Sequence, residues 1–81
     1  MLKSIHSRMH AILRKHLREV RKTRRLTQTD LSRQLRKPQS FVAKYETGER
    51  RLDLIELLQI LRALDAEIEP LLLKLKRTKM G

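Results

Sequence analysis

Residues 26–48, LTQTDLSRQLRKPQSFVAKYETG, read as two short helices joined at a tight turn. Thr27 stands at the N-cap position with Asp30 three residues on, the pattern of a capping box, and Leu26 and Leu31 flank it as a hydrophobic staple. The first helix is expected over about 28–35, with Leu31 and Leu35 one turn apart on its inner face. Small Ser32 lies between them, where a second helix can approach closely. The apolar pattern breaks at Arg36-Lys37-Pro38. Proline disfavours αR at the residue before it and suits the first turn of a new helix. A second helix is therefore expected over about 38–46, after a turn of about three residues. It places Val42 and Tyr45 inside and Gln39, Ala43 and Lys44 further out, and Gly48 supplies a left-handed stop.

Working outward, the C-terminal third repeats the same logic. Asp53 with Glu56 forms a second capping box, and Leu52 with Leu57 a second staple. Leu54, Leu57, Leu58, Leu61 and Leu64 are expected as the inward stripe of this helix, with Ile55 and Ile60 off it. Ile68, Leu71, Leu72, Leu73 and Leu75 crowd a last helix whose early Pro70 suits a first turn. Upstream, Ile5, Met9, Ile12, Leu13, Leu17 and Val20 recur at helical spacing, which predicts a helix from Ser4 or Ser7 through Arg24. Residues 1–18 are Arg-rich and free of acids, as in a mitochondrial transit peptide, but they run smoothly into this helix and are read as part of it.

The charge is uneven. Lys plus Arg number 20 against 9 Asp plus Glu, a net +11 on 81 residues. Residues 1–52 hold 15 basic and 4 acidic side chains, residues 53–73 hold 1 and 5, and residues 74–81 hold 4 and none. The positive charge belongs to the half with the helix pair and favours a polyanionic partner. No cysteine is present, so disulfides, thiolate chemistry and Cys-based zinc sites are excluded. No apolar run approaches the ~18 residues of a membrane span. His6 and His10 sit four apart with no third ligand type nearby, so no metal and no cofactor is expected. No Gly-rich phosphate loop, H-E-x-x-H or nucleophile constellation appears, which reads as a non-enzyme.

The run L-T-Q-x-x-L-(small)-x-x-L, followed after four residues by S-F-V-x-K-Y-E-x-G, resembles the Xre family of helix-turn-helix regulators, which includes the lambdoid repressor and Cro proteins. The similarity covers about residues 17–72. It implies an all-α, compact five-helix lambda-repressor-like DNA-binding domain over residues 1–81, with an N-terminal extension (1–13) that lengthens the first helix and a basic tail (74–81). Carried over by position, Gln39, Ser40 and Lys44 match residues that reach base edges, and Phe41 would press on a thymine methyl. Their chemistry suits the role, since Gln pairs with adenine and Lys with guanine. Gln28 matches a phosphate-binding position at a helix N-terminus; Lys37, Arg21, Arg50 and Arg51 complete the expected phosphate contacts, and Lys3, Arg8 and Lys15 of the extension are further candidates. Arg21 and Glu46 match a pair that in several relatives braces the first helix against the recognition helix. Ile68, Leu71, Leu72 and Leu75 fall in the segment that forms the two-fold interface in relatives. Relatives often have Gly where this chain has Arg25 and Arg36, and Gly or Asn at Asp65, so those helix ends are expected to be strained or to close differently.

The resemblance implies a sequence-specific regulator of transcription in the cytoplasm, associated with the nucleoid through double-stranded DNA and acting as a homodimeric repressor on a palindromic operator. The alternatives are an antitoxin or restriction controller, which adds a protein partner such as a toxin, and a low-specificity nucleic-acid binder. The scarcity of aromatics counts against RNA. Caps and turns that specify a folded bundle count against a membrane-surface module.

Overall fold

The computed structural model describes residues 2–78, with side chains from Arg8 to Thr78. The side chains of Lys3, Ser4, Ile5, His6 and Ser7, and residue Lys79 of the basic tail, lie outside it. Five helices follow one another: α1 (Leu2–Thr23), α2 (Gln28–Gln34), α3 (Ser40–Thr47), α4 (Leu54–Ala63) and α5 (Glu69–Lys76). Among the described residues there is no strand.

Local chemistry starts the two middle helices. Thr27 Oγ1 accepts from the Asp30 amide at 3.0 Å while the Asp30 carboxylate accepts from the Thr27 amide at 3.0 Å. These bonds to Thr27 hold the Asp30 carboxyl below its ordinary range. Asp53 and Glu56 reproduce the box at the start of α4, at 2.7 and 3.0 Å. Three helix ends use left-handed residues other than glycine: Arg25 (φ 59°), Arg36 (57°) and Asp65 (53°). In each, the next amide reaches back to close the last turn, Leu26 to the Arg21 carbonyl (3.2 Å), Lys37 to Ser32 (3.0 Å) and Ala66 to Leu61 (2.9 Å). Satisfying those end carbonyls offsets the roughly 1 kcal/mol that a Cβ costs in this conformation.

The turn between α2 and α3 is longer than expected. Arg36 closes α2 early, and Pro38 precedes the helix instead of opening it, its carbonyl accepting from the Phe41 amide at 2.9 Å. Residues 35–39 therefore form the turn, and Gln39 is the N-cap of α3. Ser32, 1 % exposed, stitches the two helices: its hydroxyl donates to the Gln39 carbonyl and accepts from the Val42 amide, both at 3.3 Å.

Helices α1 to α4 meet in one core, with Ile68 at the head of α5 packed against it. Leu17, Leu31, Phe41, Val42, Tyr45, Ile60, Leu61, Leu64 and Leu71 are all buried. The α4 stripe differs from the expected one: Ile60 is fully buried with Leu61 and Leu64, whereas Leu54 and Leu58 are 63 % and 44 % exposed. The inward frame is 57, 60, 61 and 64, and both frames obey helical spacing because α4 is apolar on two sides. Leu71 is also fully buried, so the expectation that it lies in a subunit interface is corrected: its side chain is spent inside the monomer. Leu72 and Leu73 face outward, while Ile68 and Leu75 are half-buried.

His16 is a buried polar group between α1 and α5. Its Nδ1 lies 3.0 Å from Lys74 Nζ, and Glu19 approaches the same ammonium at 4.0 Å. Ile12, Lys15, His16, Glu19, Lys74 and Arg77 line the surrounding cleft. Burial, then the Lys74 charge, push the His16 pKa below 6.5, with Glu19 opposing. The unfolded chain therefore binds a proton that the folded chain resists, and stability falls as pH drops below about 6.5. Urea titrations at about pH 7.5 and about pH 5 should show a smaller pH-dependent loss for His16→Gln than for the parent. An identical slope in both would refute this role.

Candidate nucleic-acid interface

The sequence of α3 divides the helix into a buried and an exposed side. Val42 and Tyr45 are fully buried, and burial raises the Tyr45 hydroxyl pKa. Gln39, Ser40 and Lys44 are exposed. Gln39, Ser40 and Ala43 face Gln28 and Thr29 of α2 across a cleft of about 420 Å³. Three of the four side chains expected on base edges thus lie on one open surface. Phe41 is the exception and is corrected: it is 6 % exposed, its ring edge-on to Tyr45 with centroids 5.6 Å apart. Its place beside Val42 and one turn before Tyr45 was the available signal.

Glu46 holds α3 in place. Arg21 grips its carboxylate with two donors, Nε to Oε2 at 2.8 Å and Nη2 to Oε1 at 3.1 Å, and a third, Nη1, donates to the Leu26 carbonyl at 2.7 Å. The two side chains are 9 % and 3 % exposed. Arg21 is therefore removed from the expected phosphate contacts, because its donors are spent on a buried pair. Gln28 Nε2 also donates to Glu46 Oε1, at 2.8 Å. One carboxylate from α3 thus joins α1 and α2.

The other cations surround this unit. Lys37 and Arg51 are exposed, and Lys37 Nζ lies 5.5 Å above the Phe41 ring. Arg50 packs its guanidinium 4.9 Å from the same ring and binds Glu56 through two donors at 3.0 and 2.6 Å. It is first a strut between the α3–α4 loop and α4, with a 41 % exposed side chain. Its hydrogen bonds, with the Asp53 amide, hold the Glu56 carboxyl down at about 2. Arg14 and Arg18 were not singled out from sequence. They line a smaller cleft of about 150 Å³ with Ala11, Lys15 and Glu46. The Arg14 guanidinium packs against Gly48, where an added Cβ would come within 3.0 Å of Nη1, and φ at Gly48 is +89°. Arg14 Nε is buried with no hydrogen-bond partner among the described residues. Spacing alone, 14, 18 and 21 on one face of α1, would have found them.

The geometry is a short helix packed beside a second one, with Gln39, Ser40 and Lys44 exposed and the cations Lys37 and Arg51 exposed nearby in the chain. Residues 17–71 match a helix-turn-helix family model. A solved XRE-family like protein from Pseudomonas syringae pv. tomato str. DC3000 is similar at 40 % identity with a TM-score of 0.84, over 91 % of this chain and 90 % of that one. No curated protein matches. No helix among the described residues is long and apolar enough to cross a membrane. The chain belongs to the Xre family of helix-turn-helix regulators, a non-enzymatic family that binds DNA.

Proposed function

We propose that this protein is a sequence-specific transcriptional repressor that acts in the cytoplasm, a homodimer setting two copies of α3 into successive major grooves of a palindromic operator. The observation that carries this reading is the exposed row Gln39, Ser40 and Lys44 on a helix whose pose is pinned through Glu46. Gln and Lys match the edges of adenine and guanine, so the row has the chemistry to read sequence as well as charge. Gln28, Lys37 and Arg51 take phosphates, joined by Arg14 and Arg18, whose charges flank the C-terminal end of α3. Arg50 offers the exposed edge of its guanidinium to the same backbone.

A homodimer is supported by apolar surface that one copy leaves open: Leu54, Ile55 and Leu58 on α4, and Leu72 and Leu73 on α5. A single recognition helix buries too little to be selective, and a second copy both covers such surface and doubles the reading length.

Selection from randomised duplex DNA with the purified protein at physiological salt tests this. The expected outcome is an enriched palindrome with half-sites about one helical turn apart. Retention without any enriched motif, collapsing as salt rises, would overturn it in favour of a charge-driven binder or of an antitoxin-like module whose selectivity lies in a protein partner.

A further inference from the structure

We infer that the cleft between α1 and α5 is a binding site for a small phosphate-bearing molecule, its phosphate held by Lys15, Lys74 and Arg77. The cleft is separate from the surface proposed to meet DNA.

Ile12, Lys15, His16 and Glu19 of α1 face Lys74 and Arg77 across a space of about 410 Å³. That lies within the ~300–1,000 Å³ of small-molecule sites. Three cations meet a single carboxylate there. Glu19 Oε1 is 4.0 Å from Lys74 Nζ, too far for a hydrogen bond, and the side chains of Lys15 and Arg77 make no hydrogen bond or ion pair among the described residues. Like charges gathered in a cleft repel one another and focus a positive potential into it, which draws an anion.

His16 sets the site up. Its ring is 7 % exposed and its Nδ1 lies 3.0 Å from Lys74 Nζ, so the neutral ring takes one of the three ammonium protons and fixes Lys74 at the cleft wall. Two N–H groups of Lys74 remain for a ligand. Arg77 adds a guanidinium, whose paired donors match two oxygens of a phosphate, and Lys15 adds a second ammonium. Ile12 gives the organic part of the ligand an apolar contact.

Placement favours a free small anion over the DNA backbone. At about 100° per residue, positions 12, 16 and 19 point to nearly the opposite side of α1 from positions 14, 18 and 21. The latter side carries Arg21, bound to Glu46 of α3, and Arg14 beside Gly48. A duplex docked on α3 would meet that side and leave the cleft open.

The test follows the His16 ring by NMR while the full chain is titrated with inorganic phosphate, with sodium chloride at matched ionic strength as the reference. Phosphate should saturate the site with a Kd of about 1 mM or tighter. The ring should then titrate at higher pH, because a bound dianion favours the imidazolium, as Glu19 does, against the charges of Lys15, Lys74 and Arg77. Arg77→Gln should weaken phosphate by about tenfold or more, the loss of a charge-assisted pair of bonds. Arg62→Gln, which removes an equal charge from an exposed position on α4, should leave the Kd within about twofold. The spectra of both variants report directly that each is folded. A response that never saturates, that chloride reproduces, or that Arg62→Gln weakens as much as Arg77→Gln overturns the site in favour of a diffuse counterion cloud. Displacement of bound phosphate by one equivalent of duplex DNA also overturns it, and assigns the three cations to the DNA surface.

Discussion

Arg21→Met lowers the stability of the domain by about 3–5 kcal/mol, the cost of stranding a buried carboxylate without its partner. Glu46 is the carboxylate left behind, its side chain only 3 % exposed in the folded chain. Gln28 still donates one hydrogen bond to it, but a neutral amide replaces neither the charge nor the second donor of the guanidinium. At roughly 0.05–0.15 kcal/mol per residue, a domain of 81 residues is held by about 4–12 kcal/mol, so this single change removes much of the margin. The double variant Arg21→Met with Glu46→Gln should lose less than Arg21→Met alone, since no charge is then left uncompensated. Urea unfolding at one protein concentration measures Arg21→Met, Glu46→Gln and the double variant against the parent, because any self-association makes apparent stability depend on concentration. Losses that simply add would show that the two side chains are not energetically coupled.

Neighbouring leucines of α5 should behave oppositely. Leu71→Ala removes a fully buried side chain and should cost about 2–5 kcal/mol in unfolding, through lost burial and the cavity left behind. Leu72 is 41 % exposed, and Leu72→Ala should change unfolding of the isolated chain by no more than about 0.5 kcal/mol. Its effect belongs to association: sedimentation equilibrium should show weaker self-association for Leu72→Ala than for the parent. Equal unfolding costs would contradict the orientation of α5. An unchanged association constant would take α5 out of the proposed interface.

What could be read from sequence follows the range over which the physics acts. Both capping boxes are legible because Thr27 with Asp30 and Asp53 with Glu56 each settle within four residues. At Arg25, Arg36 and Asp65 the resemblance left open whether the helix ends are strained or close differently, and the backbone there is left-handed. The α4 frame was misjudged because Leu54 and Leu58 satisfy helical spacing as well as Ile60 does, so only the other helices decide which side faces inward. Phe41 stands among exposed polar residues in sequence, yet its ring packs against Tyr45, Lys37 and Arg50 instead of facing solvent. Leu71 and Leu72 cannot be told apart by composition, and a one-residue step rotates a helical side chain by about 100°. The spacing of Arg14, Arg18 and Arg21 places them on one face of α1, but what Arg14 packs against, Gly48 and Glu46, lies more than thirty positions away.

The carboxylate of Glu46 reaches 25 positions back to Arg21 and 18 back to Gln28. Neither bond can form inside an isolated helix, and the bond to Arg21 cannot form in a lone α2–α3 hairpin either. The aim of α3, the helix proposed to read bases, is therefore a property of the assembled trio, and it should vanish when α1 undocks, even while α3 keeps its own helical turns. Such a molecule has no half-competent state: a chain caught part-way through folding, or nicked in its first helix, carries the right side chains on a helix that points nowhere in particular. Its basic surface would still hold DNA loosely, and the quality lost first would be discrimination.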